Sequence, residues 1–464
     1  MTDIPVTAPF DGSEIASVPN ATRQDVENAL KTAHALYRDR DGWLSKPQRI
    51  DILRKTAEII KERRQELAVA AAREGGKPLS DSLVEVDRAA DGVENCVEVL
   101  RSEGGRVIPM SLNPSSTGRV AFTQFEPIGV VVAVSAFNHP FNLIVHQVAP
   151  AIAVGCPVVV KPADVTPLSC YAFVEILYEA GLPREWCQVL VPQDLGDASA
   201  LVIDERNAFF SFIGSARVGW MLRSQLAPGT RCALEHGGAA PVILAADADL
   251  DDALPRLAKG GFYHAGQVCV SVQRIFADAS VAKKSAEMLA ELGAGMKVGD
   301  PTLADTEVGP LIRNGEVDRV DEWVQAAIAG GAQCLTGGER ISASCYKPTV
   351  LLDPPADANV SAMEIFGPVI CVYSYDDLDG AIAQANSLPV AFQAAVMTKD
   401  IDTAMRVYNR IDATAVMVND HTAFRVDWMP FAGARQSGHG VGGIPFTMHE
   451  MQIEKMMVLR SDEL

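Results

Sequence analysis

At 464 residues the chain is too long for one compact core, so two or three domains are expected. A composition of 48% hydrophobic and 21% charged residues is that of an ordinary globular protein, which excludes a disordered or fibrous chain. A formal charge of -19 excludes a nucleic-acid partner, because little here would displace phosphate counterions, and points to a soluble cytoplasmic protein.

The N-terminal stretch Met1 to Gly12 has no basic start and no apolar run, so no secretory signal is expected. No uninterrupted stretch of about 18 apolar residues predicts a membrane span. Nine cysteines form no Cys-x-x-Cys pair and no His/Cys cluster, which predicts reduced thiols and no metal. Thr22 and Asp25 predict a helix N-cap, followed by apolar residues at helical spacing in Val26, Leu30, Ala33 and Leu36. A second helix is predicted from Ile50 to Ala72, stopped by Gly75-Gly76-Lys77-Pro78. Arg106 to Phe125, rich in Pro, Ser and β-branched residues, predicts two extended strands outside the main layer.

From Ile128 the rhythm changes. Apolar runs at Ile128–Val134, Val158–Val160, Gln188–Val191 and Ala208–Phe212 alternate with helical patterns at Gln147–Val154, at Leu168–Glu179 and from Ala216. Strands apolar on both faces, alternating with helices, predict a covered parallel sheet that binds ligands at its carboxyl ends. Lys161 and Gly214 fall at such ends. A second α/β unit is expected from about Glu235, with a strand at Pro241–Ala245 and a helix at Asp251–Tyr263. The apolar tail Met451–Leu459 is expected to pair with the Arg106–Phe125 strands, across a subunit boundary.

Three residues stand out chemically. Cys269 follows Gly266-Gln267-Val268, where small residues let a backbone approach a nucleophilic thiol. Glu235 precedes Gly237-Gly238 at a strand end and suits general-base work if partly desolvated. Asn138, directly after a strand, offers a neutral donor for an oxyanion. Gly214 and Ser215 at a strand-to-helix turn would offer free amides to a pyrophosphate. Each of these, alone, is more often a packing, surface or turn residue.

Their order and spacing are what raise them. Phe137-Asn138-His139-Pro140, Val159-Val160-Lys161-Pro162, Phe212-Ile213-Gly214-Ser215, Leu234-Glu235-His236-Gly237-Gly238, Gly266-Gln267-Val268-Cys269, Glu364-Ile365-Phe366-Gly367-Pro368 and Pro430-Phe431-Ala432-Gly433 with Ser437-Gly438 together resemble the aldehyde dehydrogenase superfamily over nearly the whole chain. The resemblance implies an α/β fold with three parts. These are a Rossmann-like parallel-sheet cofactor domain (1–105 and 126–234), a second α/β catalytic domain (235–440) and a small β oligomerisation arm (106–125 and 441–464). It implies that Cys269 forms a thiohemiacetal, that Asn138 and the Cys269 amide hold the oxyanion, and that hydride transfer to the nicotinamide leaves a thioester. Glu235 would then activate the hydrolytic water. Phe137, Lys161, Gly214, Ser215, Glu364 and Phe366 are implied as cofactor contacts.

Asp164, three residues after Lys161, matches a position where NAD-preferring members carry an acid that rejects a 2′-phosphate, so NAD is expected over NADP. The implied substrate tunnel comprises His139, Asn142, His146, Tyr263, Val268, Val270 and Arg425. Two His, one Asn and one Arg in it point to a small polar or anionic aldehyde. The sequence departs from the family in Ala136-Phe137 before the Asn, in Ile213 before Gly214, and in a somewhat short chain. A CoA-acylating semialdehyde dehydrogenase is the alternative enzyme, opposed by the presence of Glu235. A catalytically silent structural relative is opposed by Cys269, Glu235 and Asn138. A homodimer or homotetramer is expected.

Overall fold

The computed structural model describes residues 3–464. The chain opens with a hairpin, β1 (Ile4–Thr7) and β2 (Glu14–Val18), turned at Asp11-Gly12 with Gly12 at φ 73°. Four helices follow: α1 (Arg23–Arg38), α2 (Lys46–Glu62), α3 (Arg64–Gly75) and α4 (Leu79–Ser102). Thr22 and Asp25 form the full capping box at the start of α1, each satisfying the other's backbone amide. The single helix expected from Ile50 to Ala72 is two helices. Arg63 leaves helical geometry at φ -97°, ψ 16°, and the bend lets α2 and α3 both pack along α4.

Next come β3 (Val107–Ile108), β4 (Arg119–Pro127), β5 (Val130–Val134), α5 (Asn142–Val154), β6 (Val158–Lys161), α6 (Leu168–Glu179), β7 (Cys187–Val189), α7 (Leu195–Ile203), β8 (Asn207–Ile213), α8 (Ala216–Arg223) and β9 (Arg231–Glu235). Strands β5 to β9 make a parallel sheet in the order β9-β8-β5-β6-β7. The order reverses at β5, which has β6 on one side and β8 on the other. The carboxyl ends of β5 and β8 therefore flank the crevice where such sheets bind ligands. Val131, Val132, Val158 and Val159 are fully buried, as a sheet covered on both faces requires.

The remaining elements are β10 (Pro241–Leu244), α9 (Leu250–Phe262), β11 (Arg274–Asp278), α10 (Ala282–Gly295), α11 (Asn314–Ala329), β12 (Gln333–Thr336), β13 (Thr349–Leu352), α12 (Asn359–Ala362), β14 (Val369–Tyr375), α13 (Leu378–Ala385), β15 (Val390–Ala391), β16 (Gln393–Met397), α14 (Ile401–Arg410), β17 (Ala415–Val418), β18 (Ala434–Arg435), β19 (Gly438–His439), α15 (Ile444–Glu450) and β20 (Gln452–Arg460). They build a second sheet, ordered β12-β13-β14-β11-β10-β16-β17 and parallel except for β12. Strand β19 returns to the first sheet and pairs antiparallel with β9.

The tail strand β20 pairs antiparallel with β4 over nine residues, from Gln452 against Pro127 to Arg460 against Arg119. This corrects the expected pairing across a subunit boundary: the partner strand is in the same chain. The preceding helix α15 does not join that small sheet. Its Ile444 and Met448, with Met451, are buried in the core beside α4 and α5. Among the described residues, no helix is long and apolar enough to cross a membrane.

Candidate active site

Cys269 is positioned by an unusual turn. After α9 the chain runs through His264, Ala265 and Gly266 at φ 48°, 52° and 70°, three successive left-handed residues. Such torsions cost of order 1–3 kcal/mol at a non-glycine residue and persist only where the surroundings impose them. Gly266 has a second reason to lack a side chain, since a Cβ there would meet the Gly367 carbonyl oxygen. Gln267 anchors the turn. Its amide donates to the Pro310 carbonyl at 3.2 Å, and its Oε1 accepts from the Ile312 amide at 2.9 Å.

Asn138 follows β5 and donates from Nδ2 to the Gln267 carbonyl at 2.9 Å. One of its two amide hydrogens is used there, and the other remains to donate. Glu235 ends β9, next to the Gly237-Gly238 pair. The three groups named from sequence therefore come together where segments of the two sheet-bearing units meet. Burial pushes the Cys269 thiol up to about 12, with Arg425 pulling the other way. Burial also raises Glu235, again opposed by Arg425. A resting thiol beside a carboxyl of raised proton affinity can give up its proton locally when it attacks.

The flanking residues Val268 and Val270 are buried against Phe392 and Phe431, with Tyr263 and Ala423 packed onto them. The Arg425 guanidinium lies over the Phe431 ring, 3.6 Å from its centroid. Its Nη2 is 3.3 Å from His146 Nδ1, and His146 Nε2 is 2.7 Å from Asp427 Oδ1. Arg88 of α4 donates twice to Asp427, at 3.0 and 2.6 Å. Arg425 Nε is buried and, among the described residues, without a hydrogen-bond partner; Asp427 is 3.7 Å from it, beyond bonding reach. Burial lowers His146, so the cluster holds two cations, Arg88 and Arg425, against one carboxylate, Asp427.

His139 lies beside Tyr263, with ring centroids 5.9 Å apart. Its Nδ1 is 2.7 Å from Lys77 Nζ. An ammonium can only donate, so Nδ1 accepts and Nε2 carries the hydrogen. Lys77 is paired with Glu85, both fully buried, and Glu85 accepts from the Phe141 and Asn142 amides at 2.9 Å each. Asn142 opens α5 with its Oδ1 buried and, among the described residues, unpartnered. Sequence reasoning missed Arg88, Asp427, Lys77 and Glu85. A signal existed on α4, where Asp81, Glu85 and Arg88 recur at the spacing of a buried helix face.

A second group of residues lines the crevice of the first sheet. Phe137 and Phe366 meet edge to face, 5.9 Å apart at 82°. Glu364 is drawn to the Gly238 amide at 3.2 Å, and burial pushes its carboxyl up to about 8. A Cβ at Gly237 would collide with that carboxylate, so the glycine opens the space Glu364 fills. Lys161 ends β6 and donates to the Pro162 carbonyl at 3.2 Å. Asp164 meets Arg313 at 3.4 Å. Gly214 corrects the sequence reading: its amide is not free but donates to the Glu235 carbonyl at 3.0 Å. Strand β8 runs parallel to β9 up to Ile213 and Glu235, so the next amide continues the ladder. The uncapped amides at the start of α8 begin with Ser215, whose side chain makes no capping bond.

All nine cysteines are free, and Cys269 is half-buried. Among the described residues, no group of three His, Cys, Asp or Glu side chains is arranged to hold a metal ion.

Known proteins agree with this architecture. The model of the aldehyde dehydrogenase family matches residues 1–457. A 3-sulfolactaldehyde dehydrogenase of Priestia aryabhattai is 36% identical over 96% of this chain and 92% of its own length. The solved aldehyde dehydrogenase 21 of Physcomitrella patens, in complex with the reaction product succinate, superposes with a TM-score of 0.94 at 34% identity, over 99% of this chain and 95% of that one. The solved glyceraldehyde-3-phosphate dehydrogenase GapN of Methanocaldococcus jannaschii, complexed with NADP, superposes with a TM-score of 0.94 at 33% identity, over 99% of this chain and all of that one. Matched from end to end by the family and by relatives above 30% identity, the chain belongs to the aldehyde dehydrogenase family and is an oxidoreductase acting on an aldehyde group.

Proposed function

We propose that the protein oxidises a small aldehyde bearing an anionic group to its carboxylic acid, with NAD as the acceptor. The observation that carries the substrate class is Arg425, a buried guanidinium whose charge reaches both the Cys269 thiol and Glu235 and whose Nε lacks a partner. A buried unpaired donor is costly, and the net charge of the Arg88, Arg425 and Asp427 cluster is one positive. One carboxylate, sulfonate or phosphate on the substrate balances both. The relatives point the same way: one is named for a sulfonated aldehyde, and another is solved with the dicarboxylate succinate.

In this reading Cys269 Sγ attacks the aldehyde carbon, and the second Asn138 hydrogen and the Cys269 amide hold the oxygen as it becomes an oxyanion. Glu235, with its raised proton affinity, takes the proton of the water that resolves the resulting thioester, so no CoA is required. The nicotinamide, when bound, accepts the hydride. The crevice fits a dinucleotide: Glu364 and Lys161 suit the riboses, the uncapped Ser215 turn suits the pyrophosphate, and the Phe137–Phe366 pair suits the nicotinamide ring. Asp164 favours NAD, while the GapN relative is complexed with NADP.

The covered thiols and high negative charge support a cytoplasmic location. Strand β20 exposes Met456 and Val458 on one side of the small sheet and Met457 and Leu459 on the other, and we read this edge strand as the surface that a second copy covers. A kcat/KM series tests the substrate class. Succinic semialdehyde is expected to exceed hexanal and benzaldehyde by about 100-fold, the scale of one buried charge-assisted contact. Hexanal or benzaldehyde as the better substrate would sink the anionic reading.

A further inference from the structure

A second polar corner lies beside Cys269, apart from the Arg425 cluster. His139 follows Asn138 in the chain, and its ring centroid is 5.9 Å from that of Tyr263 and 6.4 Å from that of His264. Behind it stands Lys77, whose Nζ is 2.7 Å from His139 Nδ1. Lys77 and Glu85 form an ion pair sealed from water, their side chains 0% and 1% exposed. Burial works against the Lys77 ammonium, and the Glu85 carboxylate opposes that pull. An ammonium has no lone pair to offer, so Nδ1 accepts and the imidazole hydrogen sits on Nε2. Burial first, then the cations Lys77, Arg88 and Arg425 with His264 beside them, hold the ring neutral. Two atoms of this corner have no hydrogen-bond partner among the described residues, yet neither is sealed in the interior: His139 Nε2 and Tyr263 Oη. Tyr263 packs onto the cluster of Val268 and Val270, the two neighbours of Cys269, and lies within the field of its thiol.

A neutral donor is matched by a neutral oxygen, since the Arg425 cluster already answers the charge of the substrate. A phenol can donate or accept, so one hydroxyl group can accept from Nε2 and pair with Oη in either direction. We propose that His139, its tautomer held by the Lys77–Glu85 pair, forms with Tyr263 a hydroxyl-reading subsite, and that the preferred substrate is an anionic aldehyde with a hydroxyl group beside the reacting carbonyl. His139 adjoins the oxyanion donor Asn138, and Tyr263 flanks the thiol, so the hydroxyl belongs on the carbon next to the aldehyde. A substrate that lacks it leaves two polar atoms against apolar carbon, and sites built in this way discriminate strongly. Lys77 is a positioning residue: it touches the imidazole and not the substrate. The proposal rests on the reading of this pocket as the aldehyde site.

2-Hydroxypropanal and propanal differ in that one hydroxyl and carry no anion, so the ratio of their kcat/KM values reads the subsite apart from Arg425. The unaltered protein is expected to favour 2-hydroxypropanal about 100-fold. His139→Phe keeps a flat ring without the donor and should bring the ratio below about tenfold. His139→Gln, which returns an amide donor near the place of Nε2, should recover part of it. In the unaltered protein the ratio should stay level between about pH 6 and 9, because the ring gains no proton there. A ratio that follows a single histidine-like step across that range overturns the held tautomer. Equal kcat/KM for the two aldehydes, or a ratio undiminished in His139→Phe, overturns the subsite. Failure of the anionic reading shows separately, in the comparison of succinic semialdehyde with hexanal.

Discussion

Burial pushes the Cys269 thiol up to about 12, so the protonated thiol is favoured near neutrality. The nucleophile is therefore made during attack rather than stored. Cys269→Ala is expected to abolish aldehyde-dependent NADH formation, while Ala at Cys96 or Cys371, both fully buried away from the site, leaves turnover in place; NADH absorbance reads both. Glu235 is a base only when ionised, and its proton affinity is raised by burial. The acid limb of kcat should thus lie above the pH at which an exposed glutamate protonates, and activity should fall as pH drops through that raised value. Glu235→Gln should lower kcat by about 10²–10⁴ and slow the NADH burst in rapid-mixing traces as well, because Glu235 serves first the attacking thiol and then the hydrolytic water. A variant with unchanged kcat and an unmoved acid limb would remove Glu235 from the mechanism. Arg425→Leu should depress kcat/KM for an anionic aldehyde far more than for hexanal; equal losses would reduce Arg425 to a packing residue.

At the scale of single elements, α4 matters most. Its inward face carries Glu85 and Arg88 among apolar residues, and each charge is answered from another element: Lys77 before the helix, and Asp427 from the distant loop. Glu85 ties the start of α5 to α4, and α5 is entered through Asn138 and His139. Removing one partner of a buried pair leaves the other uncompensated, so Lys77→Met is expected to cost about 3–5 kcal/mol in urea unfolding. An effect under about 1 kcal/mol would mean that the pair contributes as little as a surface one. The capping box of α1 is a smaller device. Thr22→Ala should cost about 1 kcal/mol, read from the same curves.

Over the whole molecule, the candidate active residues sit where segments of the two sheet-bearing units meet. Asn138 bonds the Gln267 carbonyl, and Asp164 meets Arg313. The small sheet of β20, β4 and β3 stands outside both cores. Its edge strand leaves Met456, Met457, Val458 and Leu459 exposed, so light scattering at micromolar concentration should return a multiple of the chain mass. Replacing Met457 with Lys should shift that mass downward. A single-chain mass for the unaltered protein would refute the strand as an interface.

Short-range chemistry is what the sequence alone determined. The parallel α/β pattern was legible because fully buried strands read as unbroken apolar runs. Cys269, Glu235 and Asn138 became candidates only through the order and spacing of motifs that resemble one family, since each residue alone reads as a packing, surface or turn residue. The capping box of α1 and the helix Leu168–Glu179 were legible from local residue patterns. The N-terminal hairpin was overlooked although Asp11-Gly12 marks its turn, because its strands are short and Pro5 interrupts one. Tertiary structure alone decided what lies far apart in the chain. Arg88 and Asp427 are 339 residues apart and share a buried ion pair that no local pattern announces. Asp164 was singled out beside Lys161, but the Arg313 that pairs with it lies 149 residues further along the chain. Gly214 read as a free amide until parallel pairing with β9 engaged it. Electrostatic character depends on every charge within a few ångströms, and packing, not sequence spacing, sets that neighbourhood.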